Sequence, residues 1–297
     1  MDSGGDGTSL LAGLVGRGIQ GSRSPSLHMQ EAAAQGVALS YVLFDLDAHP
    51  WREATLAQAI EGAESGGFCG VNVTYPFKQE VIGLLHELSP DAERLGAVNT
   101  VVFKDGRRIG HNTDWSGFAE GFRRGLPGAP RQQVVQLGAG GAGSAVAYAL
   151  LEEGVEHLVL FDPDRARAEA VAASLESLFG AGRAAVGQNL ADAIAGACGV
   201  VNATPVGMTK HPGTPVPAGL LRSDLWVADV VYVPLETELL TAARARGCRT
   251  LDGGGMAVFQ AADAFRHFTG LEPDPDRMRA AFLRSVAAGA PGPLEVT

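Results

Sequence analysis

The chain has 297 residues, 46% of them hydrophobic and 19% charged, and carries a formal net charge of −10. That length exceeds what one hydrophobic core ordinarily serves, so two domains are expected, with enough apolar residues to fill both. The acidic balance argues against nucleic acid and anionic membrane surfaces as partners, and no apolar run approaches the length of a bilayer span.

Residues 1–9, opening Met1-Asp2-Ser3-Gly4-Gly5-Asp6-Gly7, have neither the basic nor the apolar region of a signal peptide and are read as a disordered tail. Leu10–Val15 is a short apolar run followed by glycines, read as a buried strand. Ser24-Pro25 then opens a helix: serine can cap it, and proline at the first helical position loses no needed hydrogen bond. Gly36 is placed to end that helix. A strand over Tyr41–Leu46, a helix over Trp51–Glu64, a strand over Gly70–Thr74 and a helix from Gln79 to Leu88 follow. Ala97–Phe103 and Arg107–Ile109, joined through Asp105-Gly106, form a hairpin pattern. Composition changes at Gly125-Leu126-Pro127-Gly128-Ala129-Pro130, and the crossover between domains is placed just before it.

The second half restarts the alternation. A strand at Val134–Leu137 runs into a glycine turn and a helix, Ala142–Glu153, and a strand at Leu158–Phe161 ends at Asp162. Further strands are expected at Gly199–Asn202, Trp226–Val231 and Arg249–Leu251, with helices between. Residues 289–297, containing Gly289-Ala290-Pro291-Gly292-Pro293, read as an irregular tail. Strand–helix alternation in both halves indicates an α/β class with parallel sheets covered by helices.

In the turn Gly138-Ala139-Gly140-Gly141-Ala142-Gly143, residues Gly138, Gly140 and Gly143 fit G-x-G-x-x-G. The first glycine permits the tight turn, the second lets backbone approach a pyrophosphate, and the third lets helix pack on strand. Glycine makes up 40 of the residues, so chance matches are common, but here a strand precedes, a helix follows and an acid ends the next strand. Asp162 at that strand tip suits the adenosine ribose hydroxyls and would repel a 2′-phosphate, which favours NAD. Arg165 and Arg167 nearby leave NADP open, and Asp162 could equally cap the next helix.

Two runs before the turn read as one active site: Asn72-Val73-Thr74-Tyr75-Pro76-Phe77-Lys78 and Gly110-His111-Asn112-Thr113-Asp114. A lysine and a carboxylate beside a nicotinamide are what the oxidation of an alcohol requires, one to manage the proton and one to orient it. Lys78 near a helix start would feel the positive dipole end, which disfavours the ammonium form. The plainer readings are a solvated lysine, a helix-capping Asp114 and a strand-edge amide at Asn99. Ser22 and Ser24, beside a helix start, suit a carboxylate ligand, although Ser24 could serve only as a cap. His28 is read as packed or solvated, and His111 carries slightly more interest through its position. Cys69, Cys198 and Cys248 lie far apart without CxxC spacing, which suits a reducing cytoplasm and neither disulfides nor zinc; no residue set has metal spacing.

With those residues in view the chain resembles the shikimate dehydrogenase family from about Leu10 to Ala287. The matching blocks are Ser22-Arg23-Ser24-Pro25, Asn72–Lys78, Ala97–Thr100, Asn112–Asp114, the glycine turn, Asn202-Ala203-Thr204-Pro205, Asp229-Val230-Val231-Tyr232, and Asp252-Gly253-Gly254-Gly255-Met256 with Gln260. The resemblance implies two α/β domains. Residues 10–115 with 256–288 would form an N-terminal substrate-binding catalytic domain with a mainly parallel sheet, because the family's last helices return to it. Residues 116–255 would form the Rossmann-type dinucleotide-binding domain. Lys78 and Asp114 would be the catalytic pair; Ser22, Ser24, Thr74, Asn99, Tyr232 and Gln260 would contact the substrate carboxylate and ring hydroxyls. Gly138, Ala139, Gly140, Gly141, Ala142, Gly143, Asp162 and Arg167 would hold the dinucleotide. Thr204, Pro205, Val206, Val230, Gly253 and Met256 would shape the nicotinamide pocket.

Family members of the NADP-dependent biosynthetic type carry Asn-Arg-Thr at the end of the second Rossmann strand. Asp162-Pro163-Asp164 stands there instead and looks like the NAD-dependent quinate/shikimate dehydrogenases of actinobacterial type. Ser24 stands where that subgroup often has threonine, as in the biosynthetic enzymes. The expectation is reversible NAD-dependent oxidation of shikimate and quinate to their 3-dehydro ketones, by a cytoplasmic monomer or homodimer without metal. The alternatives are an NADP-dependent biosynthetic shikimate dehydrogenase, an aminoshikimate or aminoquinate dehydrogenase, and a non-catalytic dinucleotide-sensing regulator, against which the presence of both Lys78 and Asp114 counts.

Overall fold

The computed structural model describes residues 9–287, so the tails expected at 1–9 and 289–297 fall outside the described residues except for Ser9. By their contacts the residues form two compact units, one running to Thr113 and resuming at Ala261, the other spanning Asp114–Gln260. The first unit contains strands β1 (Leu10–Gly16), β2 (Leu39–Asp45), β3 (Gly70–Val73), β4 (Glu87–Leu88), β5 (Thr100–Lys104) and β6 (Arg107–His111). Their order in the sheet is β2-β1-β3-β5-β6-β4. The β2-β1-β3 portion is parallel and β4 is parallel to β6, while β5 runs antiparallel to β3 and β6. The alternation in the sequence thus gives a mixed, mainly parallel sheet. Asp105 (φ 51°) and Gly106 (φ 70°) both take the left-handed conformation that a two-residue hairpin needs.

Side chains alternate between two apolar layers. Val15, Phe44, Val71, Val73 and Val98 pack with Ile60 of helix α2 (Leu56–Ser65), after α1 (Ser24–Ala34) has covered Ala12, Leu14 and Tyr41 on the other face. Several boundaries differ from the sequence expectation. Helix α2 begins at Leu56, not Trp51, because Thr55 and Gln58 form a reciprocal capping box. The helix expected over Gln79–Leu88 is a 3₁₀ stretch, Glu80–Leu84, followed by β4. The N–H groups of His86 and Ser89 go to the carbonyls of Arg108 and Gly110, so β6 recruits this chain as a sheet edge. Ser89 then caps α3 (Pro90–Leu95), a short helix the sequence reading omitted. Ser24 is not the cap of α1; Arg23 holds that position, and the Ser22 hydroxyl accepts the Ser24 N–H at 3.2 Å.

In the second unit α4 (Asp114–Gly125) leads to β7 (Gln133–Leu137), α5 (Gly141–Glu152), β8 (His157–Phe161), α6 (Arg165–Phe179) and β9 (Ala184–Val186). Helix α7 (Leu190–Ala195), β10 (Gly199–Asn202), β11 (Trp226–Asp229), α8 (Glu238–Ala245) and β12 (Arg249–Leu251) complete the sheet. Its order, β12-β11-β10-β7-β8-β9, is parallel throughout, with the direction of winding reversing between β7 and β10. The Gly125–Pro130 stretch, expected at the crossover, is a loop inside this unit: Trp226 Nε1 donates to the Pro130 carbonyl at 2.9 Å. The units part earlier, at Asp114, and Met256–Gln260 group with the second unit.

Helix α9 (Gly254–Thr269) starts in the second unit and finishes in the first. Its start packs on α4 through glycine: a Cβ on Gly117 would lie 2.6 Å from the Gln260 nitrogen. Its end gives Phe265 and Phe268 to the core over β1. Helix α10 (Pro275–Ala287) is tied to α1 by Glu31, a 1%-exposed residue whose carboxylate accepts from Arg277 at 2.6 and 2.7 Å and from the Asp274 N–H at 2.9 Å. Burial alone pushes the Glu31 carboxyl up, but the bonds from Arg277, Asp274 and Gln35 outweigh it and hold the carboxyl below its ordinary range. Arg277→Ala should therefore destabilise the protein at neutral pH, by less than for a fully buried pair because Arg277 is partly exposed. A depressed carboxyl contributes stability above its unfolded pKa and loses it as pH falls through the folded value. The penalty, read by urea unfolding, should shrink below about pH 4.

Candidate active site

A buried polar ladder crosses the first unit where β3 and β6 end and β5 begins. The Thr113 N–H donates to Asn99 Oδ1 at 2.7 Å, and Asn99 Nδ2 donates to Thr113 Oγ1 at 3.0 Å. The Thr100 hydroxyl donates to Asn99 Oδ1 at 3.1 Å and accepts from Asn72 Nδ2 at 2.9 Å. Asn72 Oδ1 in turn accepts from the Tyr41 hydroxyl at 2.7 Å. Asn72, Asn99, Thr100 and Thr113 are all buried, so each amide is held in one orientation by partners it cannot exchange for water.

This ladder gathers the segments that the sequence singled out. The Val98 N–H donates to the Lys78 carbonyl at 2.8 Å and the Asn99 N–H to the His111 carbonyl at 3.1 Å, so Lys78, Asn99 and His111 lie on adjoining chain segments. Thr113, locked to Asn99, sets where the chain leaves for Asp114, the first residue of α4. Thr74 is half-buried, its N–H bonded to the Val15 carbonyl at 3.0 Å. The dipole argument for Lys78 fails, since the turn after it is too short to act as a helix. Asn99 is no ordinary strand-edge amide; it is the hub of the ladder. His28 is fully buried and stacked on Tyr41 at 4.8 Å, with burial lowering its pKa to about 3. His111 stacks on His267 at 4.0 Å; burial first, then the second imidazole, lower its pKa to about 4, so neither His28 nor His111 carries charge at neutral pH.

In the second unit the three glycines of the turn differ in what requires them. A Cβ on Gly138 (φ 96°) would lie 2.5 Å from the Ala203 carbonyl oxygen, and one on Gly143 would lie 2.3 Å from the Gly138 carbonyl oxygen. Gly140 has nothing within 4 Å of its Cβ position, so the protein's own packing does not demand it. That open space faces the start of α5, where unpaired N–H groups favour an anion. Gln136, fully buried, pins the turn by donating to the carbonyls of Gly138 and Gly143 at 2.8 Å each. Asp162 accepts the Ala139 N–H at 2.8 Å and the Asp164 N–H at 2.8 Å, while Asp164, not Asp162, caps α6. Arg167 sits between both acids, 3.6 Å from Asp162 and 3.3 Å from Asp164. The turn therefore fits a dinucleotide.

A second hub, whose residues the sequence reading named only within matched blocks, organises the strand ends nearby. Asn202 donates to the Val206 carbonyl at 2.8 Å and to Asp229 at 2.9 Å, and accepts from the Thr204 N–H and hydroxyl. Asp229, 2% exposed, also accepts the Val231 N–H at 3.0 Å and the Thr237 hydroxyl at 2.8 Å. The Val231 bond turns the chain, which is why β11 stops at Asp229 and not at Val231. Gly253 belongs to the same neighbourhood, since a Cβ there would meet the Val230 carbonyl at 2.3 Å. Tyr232, 40% exposed, and Gln260, whose amide donates to the Ala257 carbonyl, both lie in this unit. Burial raises the Asp229 carboxyl to about 6 against these three bonds. A raised carboxyl favours the fold when protonated and loses that contribution as pH rises through the folded value. Wild-type stability should carry a component that grows as pH falls from about 7 to about 5, and Asp229→Asn should abolish it in calorimetric scans.

Two family models match the chain: a shikimate dehydrogenase substrate binding domain over residues 14–101, and a shikimate 5′-dehydrogenase C-terminal domain over residues 253–281. A shikimate dehydrogenase (NADP(+)) of Streptomyces avermitilis is 56% identical, with 92% of this chain and 94% of the relative aligned. A quinate/shikimate dehydrogenase (NAD(+)) of Corynebacterium efficiens is 53% identical over 93% of this chain and 98% of its own. Among solved structures, quinate dehydrogenase from Corynebacterium glutamicum in complex with NAD superposes with a TM-score of 0.90 at 50% identity, covering 93% of this chain and 99% of that one. Domain matches, near-full-length identity and the two α/β units agree, and the chain belongs to the shikimate dehydrogenase family.

Proposed function

We propose that the chain is an NAD-dependent quinate/shikimate dehydrogenase, oxidising a ring secondary alcohol to the 3-dehydro ketone and reversing that reaction. The observation that carries the cofactor assignment is the arrangement at the end of β8. Asp162 closes on the turn itself, Asp164 follows, and Arg167 is held by both carboxylates, so a 2′-phosphate would meet two acids and an already neutralised guanidinium. When bound, NAD+ supplies the two-electron hydride acceptor. In the oxidative direction Lys78 takes the proton of the reacting hydroxyl and Asp114 orients lysine and hydroxyl together. Ser22, Ser24, Thr74, Asn99, Tyr232 and Gln260 bind the substrate's carboxylate and hydroxyls. Asn99 keeps one amide hydrogen beyond its bond to Thr113, available to a substrate oxygen. On the cofactor side the turn Gly138, Ala139, Gly140, Gly141, Ala142 and Gly143 meets the pyrophosphate, and Thr204, Pro205, Val206, Val230, Gly253 and Met256 enclose the nicotinamide. Three cysteines outside any disulfide support a reducing cytoplasm as the setting, with the enzyme a monomer or homodimer.

Initial rates for quinate and shikimate, each with NAD and NADP, test the reading directly. NAD should exceed NADP in kcat/KM by about two orders of magnitude, a difference of a few kcal/mol; equal efficiency with NADP would reassign the enzyme to the biosynthetic type. Gly140→Ala should leave the melting temperature almost unchanged and raise KM for NAD, whereas Gly143→Ala should lower the melting temperature, because only the second clashes within the protein. Lys78→Ala should cut kcat by about two orders of magnitude or more with little change in KM. A variant retaining near-full kcat would remove lysine from the chemistry.

A further inference from the structure

Gln136 lies on β7, an inner strand of the second sheet, and its amide is arranged for the glycine turn and not for the strand. Its nitrogen donates to two carbonyls, those of Gly138 and Gly143, at 2.8 Å each, so both amide hydrogens are committed. Reversing the amide would set its oxygen against two carbonyl oxygens, which fixes the orientation. Oε1 is then buried and, among the described residues, without a partner. An unpaired buried acceptor is costly, and an aliphatic side chain like those of the flanking Val135 and Leu137 would fill the strand without leaving one. The amide therefore serves what its hydrogens hold. On the far side of the same peptide group, the Ala139 N–H donates to Asp162 Oδ2 at 2.8 Å. The peptide joining Gly138 to Ala139 is thus gripped at both poles, its oxygen by Gln136 and its N–H by Asp162. A peptide group that follows a glycine can flip at little steric cost. Flipped, it would aim the Gly138 carbonyl oxygen at the Asp162 carboxylate and release Asp162 from the turn.

We propose that Gln136 is a positioning residue for the dinucleotide: by locking the peptide between Gly138 and Ala139, it keeps the phosphate-binding turn and the Asp162 carboxylate in their binding arrangement before the cofactor arrives. Two properties then rest on one buried amide, affinity for the pyrophosphate and discrimination by Asp162 against a 2′-phosphate. The inference rests on the assignment of the turn and Asp162 to the dinucleotide in the reading above. Gln133 supplies the control. It stands at the opposite end of β7 from the turn, and its amide also donates to a backbone carbonyl, that of Ala193 at 3.1 Å.

Steady-state kinetics of wild type, Gln136→Met and Gln133→Met, varying NAD, NADP and polyol in turn, test the proposal. Gln136→Met nearly keeps the volume and removes the donors. KM for NAD should rise about ten-fold, with kcat at saturating NAD and KM for the polyol retained. The NAD-to-NADP ratio of kcat/KM should fall several-fold in that variant, because Asp162 loses a fixed partner. Gln133→Met should leave all of these at wild-type values. Amide hydrogen exchange on the cofactor-free wild type gives a reading that needs no variant: the Ala139 N–H should exchange as slowly as the Val135 N–H within the strand. Fast exchange at Ala139 that slows only when NAD binds would overturn the proposal, since the turn would then be ordered by its ligand. So would an unmoved KM for NAD or an unmoved ratio in folded Gln136→Met, or a joint rise in KM for NAD and polyol, which marks general loosening. A wild type that favours NADP would overturn the choice of NAD and leave the clamp standing on its KM and exchange results. One that binds neither dinucleotide would overturn both.

Discussion

A buried carboxamide is costly to leave unpaired, and the first unit is arranged around one. Asn99 has its oxygen filled by the Thr113 N–H and the Thr100 hydroxyl, and its nitrogen engaged by Thr113. Removing any of these would leave a buried polar atom unpaired at a cost of about 1–3 kcal/mol, so the ends of β3, β5 and β6 are held in one register. Lys78 is bonded through its carbonyl to the Val98 N–H, and Asp114 is next in the chain after Thr113, so the network fixes the backbone on which both stand.

The second unit solves the same problem with a charge. Asn202 plays the part of Asn99, but its partner is the Asp229 carboxylate, which also gathers the Val231 N–H and the Thr237 hydroxyl. Loops after two neighbouring strands, β10 and β11, are thereby fixed by one pair of side chains. Gln136 repeats the device a strand further on, binding both ends of the glycine turn. At or beside the ends of β7, β8, β10 and β11 a polar residue, Gln136, Asp162, Asn202 or Asp229, ties down the loop beyond. Such a rim is rigid before any ligand arrives, which lowers the ordering cost of binding.

Much of this was legible in the sequence, and the parts that were not share a cause. The glycine turn, its strand and helix, and Asp162 could be read because their spacing is local and their chemistry stereotyped. The blocks around Lys78, Asn99 and Asp114 could be read because the family resemblance joins pieces that are distant in the chain. Periodicity could not show that Gln79–Leu88 would abandon the helix, because the deciding hydrogen bonds come from Arg108 and Gly110, more than twenty residues away. It could not show that Ser24 would hand the cap of α1 to Arg23, with the Ser24 N–H bonded to the Ser22 hydroxyl. Asp229 and Asn202 appeared only as members of matched blocks, and Tyr41 did not appear among the candidates. A polar residue ending an otherwise apolar strand was the available signal for the first two. Tyr41 gave none, because a tyrosine within a strand is most simply read as core.

The passage of the chain through both units has a consequence for how the protein is made. The core over β1 is completed by Phe265 and Phe268, and Glu31 of α1 finds Arg277 only on α10. Those residues leave the ribosome after the whole of Asp114–Gln260. The second unit, although later in sequence, has all its strands available while the first still lacks one of its apolar layers. The unit that begins the polypeptide is therefore the last to close, and for most of synthesis the Leu14 and Tyr41 face of β1 and β2 has α1 as its cover without Phe265 and Phe268.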